Sequence, residues 1–185
     1  MWPWGHLAVG YLLYSIFVHL LFRRRPGDRT TVALALGTQF PDLVDKPLAW
    51  TLAVLPNGRS LTHSLLVAIL LISVVQLLLQ WRGSGDVATA FGIGYLSHLF
   101  GDALYPLLGE EYSQLAFLGW PVLPAIEYPT EGSFAAHLND LTLDSFVAAE
   151  FGLGVAVFLL WLADGAPGLR LVAAIPRWVR ARLAA

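Results

Sequence analysis

Long apolar stretches, separated by short polar or basic segments, dominate this chain. The stretches 7–22, 65–79 and 145–163 contain only His19 and Glu150 among their charged residues and histidines. Apolar runs of about 17–25 residues match the thickness of a bilayer core. The pattern therefore predicts membrane helices in these stretches.

Two further segments are apolar but less uniform. Including them gives five segments, with limits near 6–22, 31–55, 62–81, 87–107 and 144–163. We therefore predict an all-α, polytopic membrane protein with about five transmembrane segments. The first segment lacks a preceding basic stretch and a small-residue cleavage site, so we expect a retained helix and not a signal peptide.

The second segment contains two prolines, Pro41 and Pro47, after about ten apolar or small residues. At ~1.5 Å per residue, those ten residues cover only about half of a ~30 Å core. Two prolines this close predict a helix that is broken between Pro41 and Pro47, around a polar pocket. A re-entrant hairpin is the alternative, but it would invert every later helix.

Composition supports a membrane protein. Hydrophobic residues make up 57% of the 185 residues and charged residues 13%, whereas soluble domains average about 45–50% and 25%. The net charge of −2 gives no indication of nucleic-acid binding. The chain has no cysteine, so any metal site must use His, Asp or Glu.

The basic residues predict an orientation in the cell membrane. If all five segments span, nine of the eleven Lys and Arg residues fall on one side, and only Lys46 and Arg59 fall elsewhere. The positive-inside rule then places the C-terminus in the cytoplasm and the N-terminus outside. We expect a multi-pass protein surrounded by membrane lipids.

The chain divides into one helical membrane domain, residues 1–166, and a tail. The domain includes an acidic external loop at about 109–143, which we expect to contain short helical pieces. Residues 167–185 mix Arg with Leu, Val and Trp, which is typical of a basic amphipathic tail on an anionic inner leaflet. A basic stop-transfer tail is the alternative.

Ionisable side chains within membrane segments cost a few kcal/mol each and therefore call for partners. Six candidates lie in or beside the segments: His6, Asp42, Asp45, His63, His98 and Asp102. The topology was assigned from arginines alone, yet it brings His6, His63 and the Asp102 end of the fourth segment toward one face. This convergence predicts a His/Asp site near the non-cytoplasmic face.

His98 and Asp102 are four residues apart, so they stack on one helical face as a chelating pair requires. Gly101 is expected to let another backbone approach. The alternative for this pair is a His–Asp hydrogen bond that bridges two helices. Metal binding and helix bridging both stay open for this pair.

Asp42 and Asp45 are three residues apart, so both carboxylates can face one divalent cation. Alternatively, Asp42 caps a helix that starts after Pro41, and Asp45 pairs with Lys46 or Arg59. Both readings remain open.

Ser60 is the expected N-cap of the third helix, which would place His63 in its first turns and keep the imidazole neutral. Arg59 is expected to bind a substrate phosphate or carboxylate, or to anchor the interface. His19 lies ~20 Å along the helix from His6 and is expected to be interfacial. His137 lies in the external loop, where a solvated side chain is the commoner outcome.

At these positions the chain resembles the YdjM-like family of membrane-bound metal-dependent hydrolases. Four segments carry the resemblance, in the family's order: GHLAVG at 5–10, PDLVD at 41–45, RSLTHSL at 59–65 and GYLSHLFGD at 94–102. Many members have His before the Arg of the third segment, where this chain has Gly58. The resemblance implies a multi-helical membrane hydrolase whose metal ligands would map to His6, Asp42, His63, His98 and Asp102.

For a hydrolase, we expect a divalent metal, zinc before manganese or iron, that lowers the pKa of a bound water toward ~7. Asp45 would act as general base and Arg59 would bind the substrate, a lipid, a phosphoester or another amphiphile. Two other classes fit the same residues: an ion- or proton-conducting protein, and a membrane scaffold whose His/Asp pairs lock helices. The sequence leaves the oligomeric state open.

Overall fold

The computed structural model describes residues 1–126, 133–139, 141–174 and 176, and within them the chain is helical or irregular, without a strand. The predicted all-α class is therefore confirmed. The helices are α1 (Pro3–Phe22), α2 (Asp28–Lys46), α3 (Leu65–Trp81), α4 (Gly85–Leu108), α5 (Phe134–Asn139) and α6 (Ser145–Ala163). A π-helical turn (Pro47–Thr51) extends α2, and a 3₁₀ helix (Tyr112–Gly119) follows α4.

Length and composition identify α1 and α6 as able to cross a membrane, with α3 as a shorter apolar helix. The other two long helices, α2 and α4, carry more polar residues. They pack most extensively against each other, and both also contact α1. Since neighbouring helices cover them, they need not be apolar on all sides. Five spanning segments therefore stay a prediction.

Consecutive long helices alternate in direction along the chain, so α1, α3 and α6 begin at one end of the bundle and α2 and α4 begin at the other. At one end, the backbone N–H of Trp2 donates to the Glu150 carboxylate of α6 at 3.1 Å. At the other end, the N–H of Gly168 donates to Asp28 at 2.6 Å. The described arginines before α2, between α3 and α4 and after α6 share this second end, whereas the start of α1 lies at the first.

α2 and α4 approach so closely that each needs a glycine at the contact. A Cβ on Gly37 would clash with the carbonyl oxygen of Phe91, and a Cβ on Gly94 would clash with that of Leu34. Small residues of this kind allow the backbones of membrane helices to touch. The pair of glycines therefore fixes the position of α2 relative to α4.

The predicted break at Pro41 is wrong. α2 continues through Pro41 to Lys46, and the helix widens into the π-helical turn only at Pro47. The proline lacks the N–H that would bond the carbonyl of Gly37 one turn earlier, but the helix continues. The carbonyl of Pro41 itself accepts the hydroxyl of Thr62 at 3.0 Å, which joins this turn of α2 to the loop before α3. The irregular backbone of this region comes later, at 52–64.

The start of α3 also differs from the prediction. Its N-cap is Ser64, whose hydroxyl accepts a backbone N–H of the first turn at 3.2 Å, and not Ser60. The cause is Asp45, which accepts the N–H groups of Ser60 and Thr62 and holds this segment as a loop. The histidine that follows Thr62 therefore precedes α3.

The predicted external loop contains two short helices, the 3₁₀ helix and α5, as expected. Its acidic residues Glu127, Glu131 and Asp140 lie outside the described residues, and so does the side chain of His137. Of the predicted tail, residues 167–174 and 176 are described, with 169–174 helical.

The glycine contact between α2 and α4 gives a stability prediction. We expect Gly94→Ala to lower the free energy of unfolding by about 1–3 kcal/mol, because the added methyl forces the backbones apart. Gly152→Ala in α6 is the control, since a Cβ there has no neighbour within 4 Å. Thermal unfolding in detergent measures both, and equal stability of the two variants would contradict the close contact.

Candidate metal centre

The five residues predicted as metal ligands meet in one cluster at the end of the bundle that holds the start of α1. α1 contributes His6, α2 contributes Asp42, the loop before α3 contributes His63, and α4 contributes His98 and Asp102. All three histidines are 0% exposed, and Asp102 is 4% exposed. The arrangement therefore gathers side chains from distant parts of the chain into one largely buried cluster.

The closest contacts in the cluster are between the imidazoles of His63 and His98, with the carboxylates of Asp42 and Asp102 beside them. The Nε2 atoms of His63 and His98 are 3.1 Å apart. Asp42 Oδ1 is 3.6 Å from the first and 3.8 Å from the second, and Asp102 Oδ2 is 3.5 Å and 3.7 Å from them. In a tetrahedral site with metal–ligand bonds of ~2.0–2.1 Å, ligand atoms lie ~3.3 Å from one another. The structure thus holds two overlapping groups of donor atoms that could bind a cation, Asp42 with His63 and His98, and His6 with His98 and Asp102, each with its atoms within 4.8 Å of one another.

The imidazoles of His63 and His98 are oriented by hydrogen bonds on their far sides. His98 Nδ1 lies 2.7 Å from the carbonyl oxygen of Thr38, which only accepts, so this nitrogen carries the proton. His63 Nδ1 lies 2.8 Å from Asp45 Oδ2 and donates in the same way. The two Nε2 atoms then face each other, and in the neutral form of each ring the Nε2 lone pair is available to a metal, as in metal-binding histidines.

His6 lies at the edge of this set. Its ring stacks on that of His98, with centroids 3.7 Å apart and planes at 15°. Its Nε2 is 3.2 Å from Asp102 Oδ1. A Cβ on Gly101 would lie 3.1 Å from His6 Nδ1, so Gly101 makes room for an imidazole and not, as predicted, for another backbone.

The two oxygens of the Asp42 carboxylate have different surroundings. Lys46 Nζ donates to Oδ2 at 2.7 Å. Oδ1 is buried and has no hydrogen-bond partner among the described residues. A buried carboxylate oxygen without a donor is unfavourable, and this oxygen is the one that faces His63 and His98. The unpaired atom is therefore an available metal ligand.

Asp45 lies behind His63 and is 0% exposed. Its oxygens accept from five donors: the N–H groups of Ser60, Thr62 and His63, the Thr62 hydroxyl and the His63 ring. The structure thus brings Asp45 to the site through His63. In this position it fixes the orientation of that imidazole and the shape of the loop before α3.

Arg59 contacts Asp102, the carboxylate that α4 contributes to the cluster. Its Nε donates to Asp102 Oδ2 at 3.0 Å, and its side chain is 24% exposed. The Met1 amino group also donates to Asp102, to Oδ1 at 2.9 Å. Asp102 thus accepts charge-assisted hydrogen bonds on both oxygens, which favour its ionised form. Both carboxylates that face the two Nε2 atoms carry a cationic partner.

Three supporting residues were missed by sequence reasoning. Thr38 acts through its backbone carbonyl, which side-chain patterns do not reveal. Tyr95 is 0% exposed and donates its hydroxyl to the Thr62 carbonyl at 2.6 Å; its place three residues before His98, on the same helical face, was an available signal. Phe117 of the 3₁₀ helix is buried, with its ring 6.2 Å from that of His63, and no local pattern predicts this contact.

His19, the fourth histidine whose side chain the structure describes, lies at the other end of α1. Its Nε2 is 3.3 Å from Asp164 Oδ1, and its side chain is 43% exposed. Tyr11 and Ser15 donate to the same carboxylate at 2.8 Å and 2.9 Å. This group joins α1 to the end of α6 and is separate from the metal-type cluster, and the interfacial place of His19 stays a prediction.

Comparison with known proteins identifies a family. No curated protein and no solved structure matches the chain. The family model described as YdjM inner membrane protein matches residues 1–162. The match includes every residue of the cluster and extends well beyond the four sequence segments that first suggested the relationship. The chain therefore belongs to the YdjM inner membrane protein family.

Proposed function

We propose that this chain is a membrane-bound, metal-dependent hydrolase. One divalent cation is held by Asp42, His63, His98 and Asp102, with His6 as a fifth ligand. The observation that carries the proposal is the 3.1 Å approach of two imidazole Nε2 atoms whose Nδ1 atoms are both engaged as donors. Two facing lone pairs are stable only with a cation or a proton between them.

The donor set supports zinc over other metals. Imidazole nitrogen and carboxylate oxygen suit zinc, manganese and iron. Each imidazole Nε2 lies 3.1 Å from the other and 3.5–3.8 Å from the two carboxylate oxygens, which suits a small cation such as zinc. When bound, the metal would activate a water molecule and polarise a carbonyl or phosphoryl oxygen of the substrate.

The residues around the ligands have separate tasks in this proposal. Asp45 positions His63; this replaces the general-base role expected from the sequence, because five donors already occupy its oxygens. The Thr38 carbonyl positions His98. Arg59, a quarter exposed beside Asp102, binds an anionic oxygen of the substrate.

The proposal places the site near the non-cytoplasmic face of the inner membrane. α1, α2, α3, α4 and α6 span, the N-terminus is outside, and the basic loops and tail are cytoplasmic. A buried site at this depth is reached from the membrane surface, so the substrate is a lipid or another phosphoester-bearing amphiphile. Membrane lipids are its immediate surroundings.

Metal content tests the site. Purified natural protein, loaded with zinc and washed, is expected to retain about one metal ion per chain, and His63→Ala or His98→Ala to retain about a tenth or less. His19→Ala is the matched control, because that imidazole lies at the other end of α1. Elemental analysis gives the ratio, and equal metal in all four proteins would refute the site.

The hydrolase step is tested on the same samples. Zinc-loaded natural protein is expected to hydrolyse phosphodiester or ester lipids in mixed micelles, and His98→Ala is expected to lose this activity. If the natural protein holds stoichiometric zinc and turns over neither class, the hydrolase is excluded and the metal has the helix-locking role of a scaffold.

Asp45→Asn tests the positioning role. The amide keeps the size of the side chain but weakens its bonds to His63 and the loop, so zinc affinity is expected to fall about 10–100-fold with every ligand still present. A competition titration with a zinc chelator measures the affinity, and circular dichroism checks that helix content is retained. An unchanged affinity in a folded variant would contradict the role.

Single-cysteine labelling tests the five spans, since the natural chain has no cysteine. In spheroplasts, a membrane-impermeant maleimide is expected to label Val122→Cys and to leave Ser84→Cys unlabelled until the membrane is opened. If only α1 and α6 span, both positions lie on one side and behave alike. That result would overturn the proposed topology.

A further inference from the structure

Glu150 is the one ionisable residue of α6, a helix that is apolar enough to cross a membrane. It is 4% exposed, and its carboxylate lies at the end of the bundle that holds the start of α1. An ionisable side chain within a membrane segment is costly and is retained where it has a partner or a function. The proposed metal centre takes no ligand from α6, so this buried carboxylate needs a separate explanation.

The carboxylate of Glu150 caps α1 from a neighbouring helix. The N-cap residue of α1 is Trp2, whose side chain makes no capping hydrogen bond. The backbone N–H of Trp2 donates instead to Glu150 Oε2 at 3.1 Å. A carboxylate at a helix N-terminus is stabilised by the unpaired N–H groups there and by the helix dipole. The position at which α1 begins is therefore determined by a side chain of α6.

The backbone of Trp2 connects this cap to the metal centre. The carbonyl oxygen of Trp2 accepts the N–H of His6 at 3.1 Å, so this residue bonds Glu150 through its N–H and His6 through its carbonyl. Gly5, which directly precedes His6, lies against the same carboxylate, because a Cβ there would be 2.6 Å from Glu150 Oε2. The turn of α1 that carries His6 is thus held against Glu150 at two places.

The other oxygen of Glu150 bonds the helix that supplies His98 and Asp102. Oε1 accepts the hydroxyl of Tyr105. Tyr105 follows Asp102 by three residues, so the two side chains lie on the same side of α4. One carboxylate therefore joins α1 and α4 close to the metal centre and determines how the ligands of the two helices face each other.

His6 is the histidine of the cluster that depends most on such support. Neither of its ring nitrogens has a hydrogen-bond partner among the described residues, whereas the Nδ1 atoms of His63 and His98 each have one. The His6 ring is held by stacking on His98, with centroids 3.7 Å apart. Because no hydrogen bond orients this imidazole, its place in the cluster follows from the position of the α1 backbone.

We propose that Glu150 is a positioning residue of the metal centre, which holds His6 in reach of the cation by capping α1 and bonding Tyr105 of α4. Glu150 is not one of the clustered donor atoms, and it acts through the backbone of Trp2 and Gly5. The inference rests on the proposed function in one respect, that His6 is the fifth metal ligand. It does not depend on hydrolysis.

The zinc affinity of the full chain in detergent, measured by competition with a chelator, tests this role. Glu150→Met keeps the approximate volume of the side chain but cannot accept the Trp2 N–H, so the affinity is expected to fall about tenfold. Glu150→Gln is the matched variant, because its amide oxygen still accepts this N–H, and it is expected to bind zinc like the natural protein. Equal losses in both variants would indicate attraction of the cation by the negative charge and would overturn the positioning role.

His6→Ala separates a role through His6 from a general effect on the bundle. It is expected to lower zinc affinity at least as much as Glu150→Met, and the double variant is expected to lose no more than His6→Ala alone. Additive losses, or an unchanged affinity in either single variant, would overturn the proposal. Asp164→Asn is the control, because Asp164 is a buried carboxylate that Tyr11 and Ser15 bond at the other end of α6, and its affinity is expected to be unchanged.

Circular dichroism and thermal unfolding verify that each variant is folded. If Glu150→Met does not fold, Gly5→Ala replaces it, because the added methyl meets Glu150 Oε2 and displaces the carboxylate from α1. The same loss of affinity and the same dependence on His6 are then expected. A loss of affinity in a protein that hydrolyses no lipid supports the positioning role and refutes the hydrolase, whereas natural protein that binds no zinc refutes both.

Discussion

The contact between α2 and α4 determines where the side chains of the metal-type cluster lie. With glycine on both helices, the backbones are close enough for the carbonyl of Thr38 to reach the ring of His98 at 2.7 Å. The next turn of α2 then carries Asp42 toward Asp102 on α4. A wider separation of these two helices would leave two half-sites, each with too few donor atoms to hold a cation.

Burial of the three carboxylates is acceptable because each of them has a matched partner. Charges taken out of water cost several kcal/mol each unless they are matched and hydrogen-bonded. Here Lys46 contacts Asp42, Arg59 contacts Asp102, and backbone N–H groups surround Asp45. The cluster atoms that lack a hydrogen bond among the described residues are Asp42 Oδ1 and the two ring nitrogens of His6. The unsatisfied polar atoms of the cluster therefore lie beside the facing imidazoles of His63 and His98.

The sequence predicts the members of the cluster because helix periodicity and the distribution of arginines carry enough information. Residues four apart share a helical face, and the basic loops determine which helix ends meet. Predictions from local sequence failed where tertiary contacts determine the conformation of the backbone. Pro41 lies inside a helix that packs against α4 and whose Pro41 carbonyl bonds Thr62 of the following loop, and Asp45 moves the start of α3 to Ser64. The role of the Thr38 carbonyl depends on helix packing, which no single segment encodes.

Asp45 gives the loop before α3 a property that matters for assembly. Because one buried carboxylate gathers three backbone N–H groups, a hydroxyl and the His63 ring, the loop acquires its shape from protein contacts alone. A preorganised site spares its ligand the entropy of ordering the chain. In the proposed metal site, the inward face of the loop would be ordered before a cation arrives, and selectivity among cations would follow from the size of a fixed opening rather than from the ability of the loop to close around each one.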